Sequence, residues 1–148
     1  MKKLYGLLLI TVLLFAAGCK QDAPVVPAYL QNAKLLGKWY LKNLAITNED
    51  GSSGGSLTVF TDKDFFEFKT GNAATYSSTL YAKSFAGYYS ANSLNTPNTL
   101  SFKSGDLLLV YSFYLDFTGD LILNETIIDP NSGVPTPKLY TYTYSKTL

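Results

Sequence analysis

The chain carries few side chains able to do covalent or acid–base chemistry. Its 148 residues include no histidine and a single cysteine, Cys19. The commonest general base and the commonest zinc ligand are therefore both missing. Carboxylates do occur in close pairs, Asp62 with Asp64 and Asp116 with Asp120. Such pairs could share acid–base work, but each lies in a tight-turn sequence, where Asp ordinarily bonds neighbouring backbone. Asn48-Glu49-Asp50-Gly51 lacks the acidic spacing and terminal Glu of a calcium loop and reads as a solvated loop. Gly51-Ser52-Ser53-Gly54 does not fit the Gly-x-Ser-x-Gly frame of a nucleophile elbow. Asn124-Glu125-Thr126 has the form of a glycosylation sequon but falls in a predicted strand. These residues assemble no catalytic, metal or cofactor site, and the chain reads as non-enzymatic.

Cys19 has a more specific context. Lys2 and Lys3 open the chain, an apolar run extends from Leu4 to Ala17, and Ala16-Ala17-Gly18 stand directly before the cysteine. A positive start, an apolar middle and a small-residue cut site describe a secretory signal peptide. The run is too short for a transmembrane helix, which needs about 20 apolar residues. With Cys19 at its end, the stretch resembles the lipobox of bacterial lipoproteins, although Ala16 stands where Leu is commoner. The resemblance implies cleavage before Cys19 and acylation of its thiol, palmitate being a typical chain. Several acyl chains on one residue anchor a protein stably. Lys20, rather than Asp, follows the cysteine. In such families this points to the outer membrane of a diderm bacterium, with the periplasmic face and the cell surface both open.

The expected organisation is a signal peptide over 1–18, a lipidated tether over 19–27 containing Pro24 and Pro27, and a domain over 28–148. All basic residues are lysines; without Lys2 and Lys3, ten lysines face eleven acids, a net charge of −1. No extended basic surface can be built from that balance, which argues against a nucleic-acid partner. With Cys19 acylated there is no internal disulfide, so stability rests on packing. Tyr occurs 12 times and Phe 9 times, the composition of a β protein.

Ala28–Leu36 has the spacing of a short helical turn, with Tyr29, Ala33 and Leu36 on one face. Candidate strands follow at 38–47, 56–61, 65–70, 73–82, 84–91, 99–103, 107–117, 121–129 and 138–146. Tight-turn sequences at 62–64, 70–72, 104–106 and 118–120 join neighbours, giving an antiparallel meander. Longer loops are expected at 48–55, 92–98 and 130–137. The clearest strand places Leu107, Leu109, Tyr111, Phe113, Leu115 and Phe117 on one face by period-two alternation.

Gly37-Lys38-Trp39 at the start of the first strand resembles the Gly-x-Trp element that opens the lipocalin fold. There the Trp closes one end of the barrel. Leu57–Asp64 with Phe66-x-Phe68, Gly87-Tyr88-Tyr89 and Thr99–Phe102 extend the likeness. Together with the lipobox, these features resemble the short lipocalin-like lipoproteins common in Bacteroidetes, over residues 33–146. Two departures stand out: no Thr-Asp-Tyr element, and no arginine to stack on the Trp late in the barrel. They remove any basis for carrying over a ligand.

The expected fold is all-β, an antiparallel meander barrel of eight or nine strands, lipocalin-like, after a short helical turn. Two functions fit it. One is a carrier of a small apolar molecule, lined by Trp39, Leu107, Leu109, Tyr111, Phe113 and Phe117. The other is an interaction module whose barrel is filled and which meets a protein or glycan on its outside. The contents of the barrel separate them.

Overall fold

The computed structural model describes residues 33–79, 82–92, 98–128 and 136–148. The expected signal peptide, Cys19, the expected tether and residues 28–32 of the expected helical segment lie outside the described residues. Residues 33–35 form a turn, and the Leu36 amide donates to the Ala33 carbonyl. Gly37 then takes a φ of +113°, a value side-chain-bearing residues rarely adopt. This is the sharp entry into the first strand that the Gly-x-Trp spacing predicts.

Nine strands follow: β1 Gly37–Thr47, β2 Ser53–Leu57, β3 Phe65–Phe68, β4 Ala73–Ser78, β5 Lys83–Asn92, β6 Thr99–Ser104, β7 Leu107–Leu115, β8 Leu121–Ile128 and β9 Pro137–Ser145. Neighbours pair antiparallel in the order β2-β1-β3-β4-β5-β6-β7-β8-β9, and β1 also pairs with β9. β1 and β3 through β9 thus close an eight-stranded barrel, and β2 is an additional strand. β3 pairs with Gly37–Tyr40 of β1, whereas β2 pairs with Leu44–Thr47 farther along.

Local sequence explains most departures from strict alternation. The β1–β9 register shifts between Leu41 and Asn43, so that Leu41 lies opposite Tyr144 and Leu44 opposite Tyr142. The extra residue keeps both leucines on the inner face although they are three apart, as a bulge does. Gly87 sits where β5 passes from β4 to β6; a Cβ there would lie 2.1 Å from the Lys103 carbonyl oxygen. Only glycine fits so close a backbone crossing.

Four expected strands change extent by two residues or more. The strand expected at 56–61 is β2 at Ser53–Leu57, taken from a Ser/Gly stretch read as loop. Its side chains are all exposed; main-chain pairing to the β1 edge makes this strand, and side-chain propensity carries no trace of that. The strand expected at 73–82 ends at Ser78, and that at 65–70 ends at Phe68 before a 3₁₀ turn, Thr70–Asn72. β7 ends at Leu115, not Phe117. The Asp116 carboxylate accepts the amides of Thr118 and Asp120 and the Thr118 hydroxyl. The turn therefore begins at Asp116, and period-two alternation stops there.

The core lies inside the barrel. Trp39, Phe66, Phe68, Leu100, Phe102, Leu121 and Leu123 are all almost fully buried. Phe66 is the hub. Its ring centroid lies 4.6 Å from Tyr76, 5.4 Å from Phe68, 5.7 Å from Phe102, 5.8 Å from Tyr144 and 6.4 Å from Tyr111. These are stacked and edge-to-face separations, worth about 0.5–1.5 kcal/mol per pair beyond area burial.

Candidate functional site

Three regions could serve function: the barrel interior along β7, the closed end at Trp39, and the outer wall across β3, β4 and β5.

Along β7, Leu107, Leu109 and Tyr111 pair with Ser104, Phe102 and Leu100, while Phe113 and Leu115 pair with Leu123 and Leu121. Tyr111 and Phe113 are buried; Leu107 and Leu109 are half-buried against the core. The alternate residues Leu108, Val110 and Tyr114 are exposed. Phe117, expected on the inner face, is instead fully exposed at 101%. It belongs to the Asp116–Asp120 turn and lines no interior. Phe85 and Tyr142 are also partly buried against the core. The Tyr142 hydroxyl donates to the Glu125 carboxylate, and its ring meets Tyr111 edge-on at 5.8 Å. Tyr144 is buried. Burial, with Tyr76, Tyr111, Tyr142 and Asp64 nearby, pushes its hydroxyl well above the usual tyrosine value.

Trp39 is 1% exposed, and its indole N–H donates to the Leu35 carbonyl at 2.6 Å. Lys146, just past β9, holds its ammonium 4.7 Å from the Trp39 ring centroid. The same ammonium donates to the Leu36 carbonyl at 2.9 Å and reaches the Lys34 carbonyl at 3.4 Å. One cation thus seals the turn and the indole together. Sequence reasoning did not single out Lys146, since nothing in a terminal Ser-Lys-Thr marks it.

On the outer wall, Tyr40, Phe65, Ser77 and Ser84 form a row across β1, β3, β4 and β5. The Lys38 ammonium stands 3.8 Å from the Phe65 centroid and 4.9 Å from that of Tyr40. The Ser84 hydroxyl donates to Ser77 at 2.9 Å. A cleft of about 600 Å³ opens here, bounded by Lys38, Lys63 and Lys83 with Phe65 and these hydroxyls.

Asp64 ties the two turns that flank this cleft. It is 2% exposed, and its carboxylate accepts the amides and hydroxyls of both Thr61 and Thr79. Burial pushes its pKa up, but the hydrogen bonds from Thr79 and Thr61 outweigh burial and hold it below the ordinary carboxylate value. Asp116 is also lowered, chiefly by the Thr118 hydroxyl, and Asp50 by Ser52. The turn reading of Asp62 and Asp64 placed Asp64 correctly in a turn but missed its bond to Thr79, fifteen residues away. Among the described residues, no three His, Cys, Asp or Glu side chains converge as metal ligands.

No family model, curated protein or solved structure significantly matches this chain.

Proposed function

We propose that this protein is a non-enzymatic, lipid-anchored module of the bacterial outer membrane that recognises its partner with the outside of a filled, lipocalin-like barrel. The observation that carries this reading is the aromatic packing around Phe66, which occupies the middle of the barrel. A carried molecule needs room that these rings already take. The lipocalin-like reading draws support from Gly37-x-Trp39 and from Lys146, which puts a cation over the Trp where the superfamily uses an arginine. The envelope address rests on the leader and Cys19.

A second reading, carriage of a small apolar ligand, is favoured by one observation. Leu107, Leu109, Phe85 and Tyr142 face the interior yet keep partial exposure. That leaves an apolar rim to which a small molecule could bind.

An environment-sensitive apolar dye titrated into the micelle-solubilised protein tests the choice. The expected result is no saturable binding above that of micelles alone. Stoichiometric binding whose affinity changes with Tyr111→Trp would overturn the filled-barrel reading and establish the carrier. Cys19→Ala tests the address: the variant should show neither cleavage before residue 19 nor added acyl mass, whereas a wild-type chain with no mass added at Cys19 would refute lipidation.

A further inference from the structure

The outer-wall cleft combines features that the fold does not need. Its cations outnumber its acids: Lys38, Lys63 and Lys83 against Asp62. Among the described residues neither Lys63 nor Lys83 is paired with a carboxylate; the ion pair present is Lys69 with Glu67. Ser77 faces outward in the β3–β4–β5 register but is only 7% exposed, so it forms part of a recessed floor. At the rim, Ala82 takes a φ of +49°. A left-handed alanine is strained, and strain of this kind collects where a surrounding structure holds a functional loop in place. The holding structure is visible: buried Asp64 joins the Thr61 and Thr79 turns on either side.

Resting on the interaction-module reading, we infer that this cleft binds an acidic saccharide, a uronate-bearing oligosaccharide being its simplest form. A volume of about 600 Å³ is far more than one small anion fills and falls in the range of organic-ligand pockets. Lys63 and Lys83 meet the carboxylate as rotatable point charges. Ser77 keeps a hydroxyl proton to donate, while Ser84 and Thr79, whose protons go to Ser77 and Asp64, keep lone pairs that accept from sugar hydroxyls. Phe65, with the Lys38 ammonium held on its ring, supplies apolar carbon for the C–H edges of a pyranose. The two tied turns keep these groups in place before the ligand arrives, which reduces the ordering cost of binding.

The test is calorimetric titration of the mature protein in detergent micelles with an alginate trisaccharide, neutral maltotriose and inorganic sulfate. Saturable binding of the uronate trisaccharide, weakened by added salt, is expected, with no heat from maltotriose and little from sulfate. Lys63→Gln and Lys83→Gln should each weaken it about two- to fivefold, the range of exposed ion pairs. Lys103→Gln, on β6, should leave it unchanged. Trp39 fluorescence confirms that each variant is folded. No uronate binding, sulfate binding as tight as the trisaccharide, or affinity unmoved in the Lys63→Gln, Lys83→Gln double variant would each overturn the assignment. Dye uptake by the same sample bears on the filled-barrel reading alone, so the two failures are distinguishable.

Discussion

The ammonium of Lys146 stands 4.7 Å from the centre of the Trp39 ring while donating to the carbonyl of Leu36. The last turn of the chain thereby closes over the first turn of the barrel, across more than a hundred residues. Lys146→Ala removes a cation–π contact and a carbonyl partner together. It should cost about 1 kcal/mol in urea unfolding and red-shift Trp39 emission. Lys146→Arg keeps both interactions and should restore stability and spectrum.

Asp64→Asn should cost about 3 kcal/mol, because it weakens the charged acceptor that Thr61 and Thr79 share in a buried setting. The native pKa of Asp64 lies below its unfolded value of about 3.9. Its contribution is therefore complete above that unfolded value and drains away as pH falls through the native one. Urea midpoints of wild type and Asp64→Asn should differ most at neutral pH and converge in strong acid.

Phe66→Ala should destabilise the barrel by about 3–5 kcal/mol, as large aromatic truncations do. The space left is lined by Phe68, Tyr76, Phe102 and Tyr144. If the variant folds, it should bind benzene or a similar small arene that the wild type excludes. Thermal midpoints measured with and without the arene check this, since a ligand of the native state raises the midpoint.

Phe113 and Phe117 are four residues apart and alike in chemistry, but they should behave differently. Phe117→Ser should change stability by less than about 0.5 kcal/mol, because its ring is wholly exposed. Phe113→Ala should cost about 3–5 kcal/mol, because its ring is buried opposite Leu123 in the β7–β8 pair. Equal effects would place Phe117 back on a continuous inner face.

Alternation and turn chemistry, both local, were enough to reveal an all-β antiparallel fold with strands near their observed places, except that the 62–64 turn makes no hairpin, because β2 and β3 each pair with β1 instead. The same period-two signal carried Leu107 through Phe113 onto the inner face. It failed at Phe117, where the Asp116 side chain outcompetes strand pairing for the backbone amides of Thr118 and Asp120. It also failed at β2, where Gly and Ser enter a strand because the β1 edge offers hydrogen bonds. The candidate interior was therefore partly legible, whereas the outer-wall cleft was not. Its residues lie in four separate stretches, at Lys38, at 62–65, at 77–79 and at 82–84. No spacing within any stretch points to the others.

By itself, the sequence determined the apolar run that ends at Cys19, the absence of histidine, the strand periodicity and the glycine that opens the barrel. Each depends on near neighbours along the chain, which is what sequence patterns record. Tertiary structure alone decided that Phe66 fills the middle of the barrel, that Lys146 covers Trp39 and that Asp64 reaches Thr79. Those contacts follow from the closure of β9 on β1 and from the stagger between strands. Closure and stagger are set by all the pairings at once, so no single segment of the chain carries them.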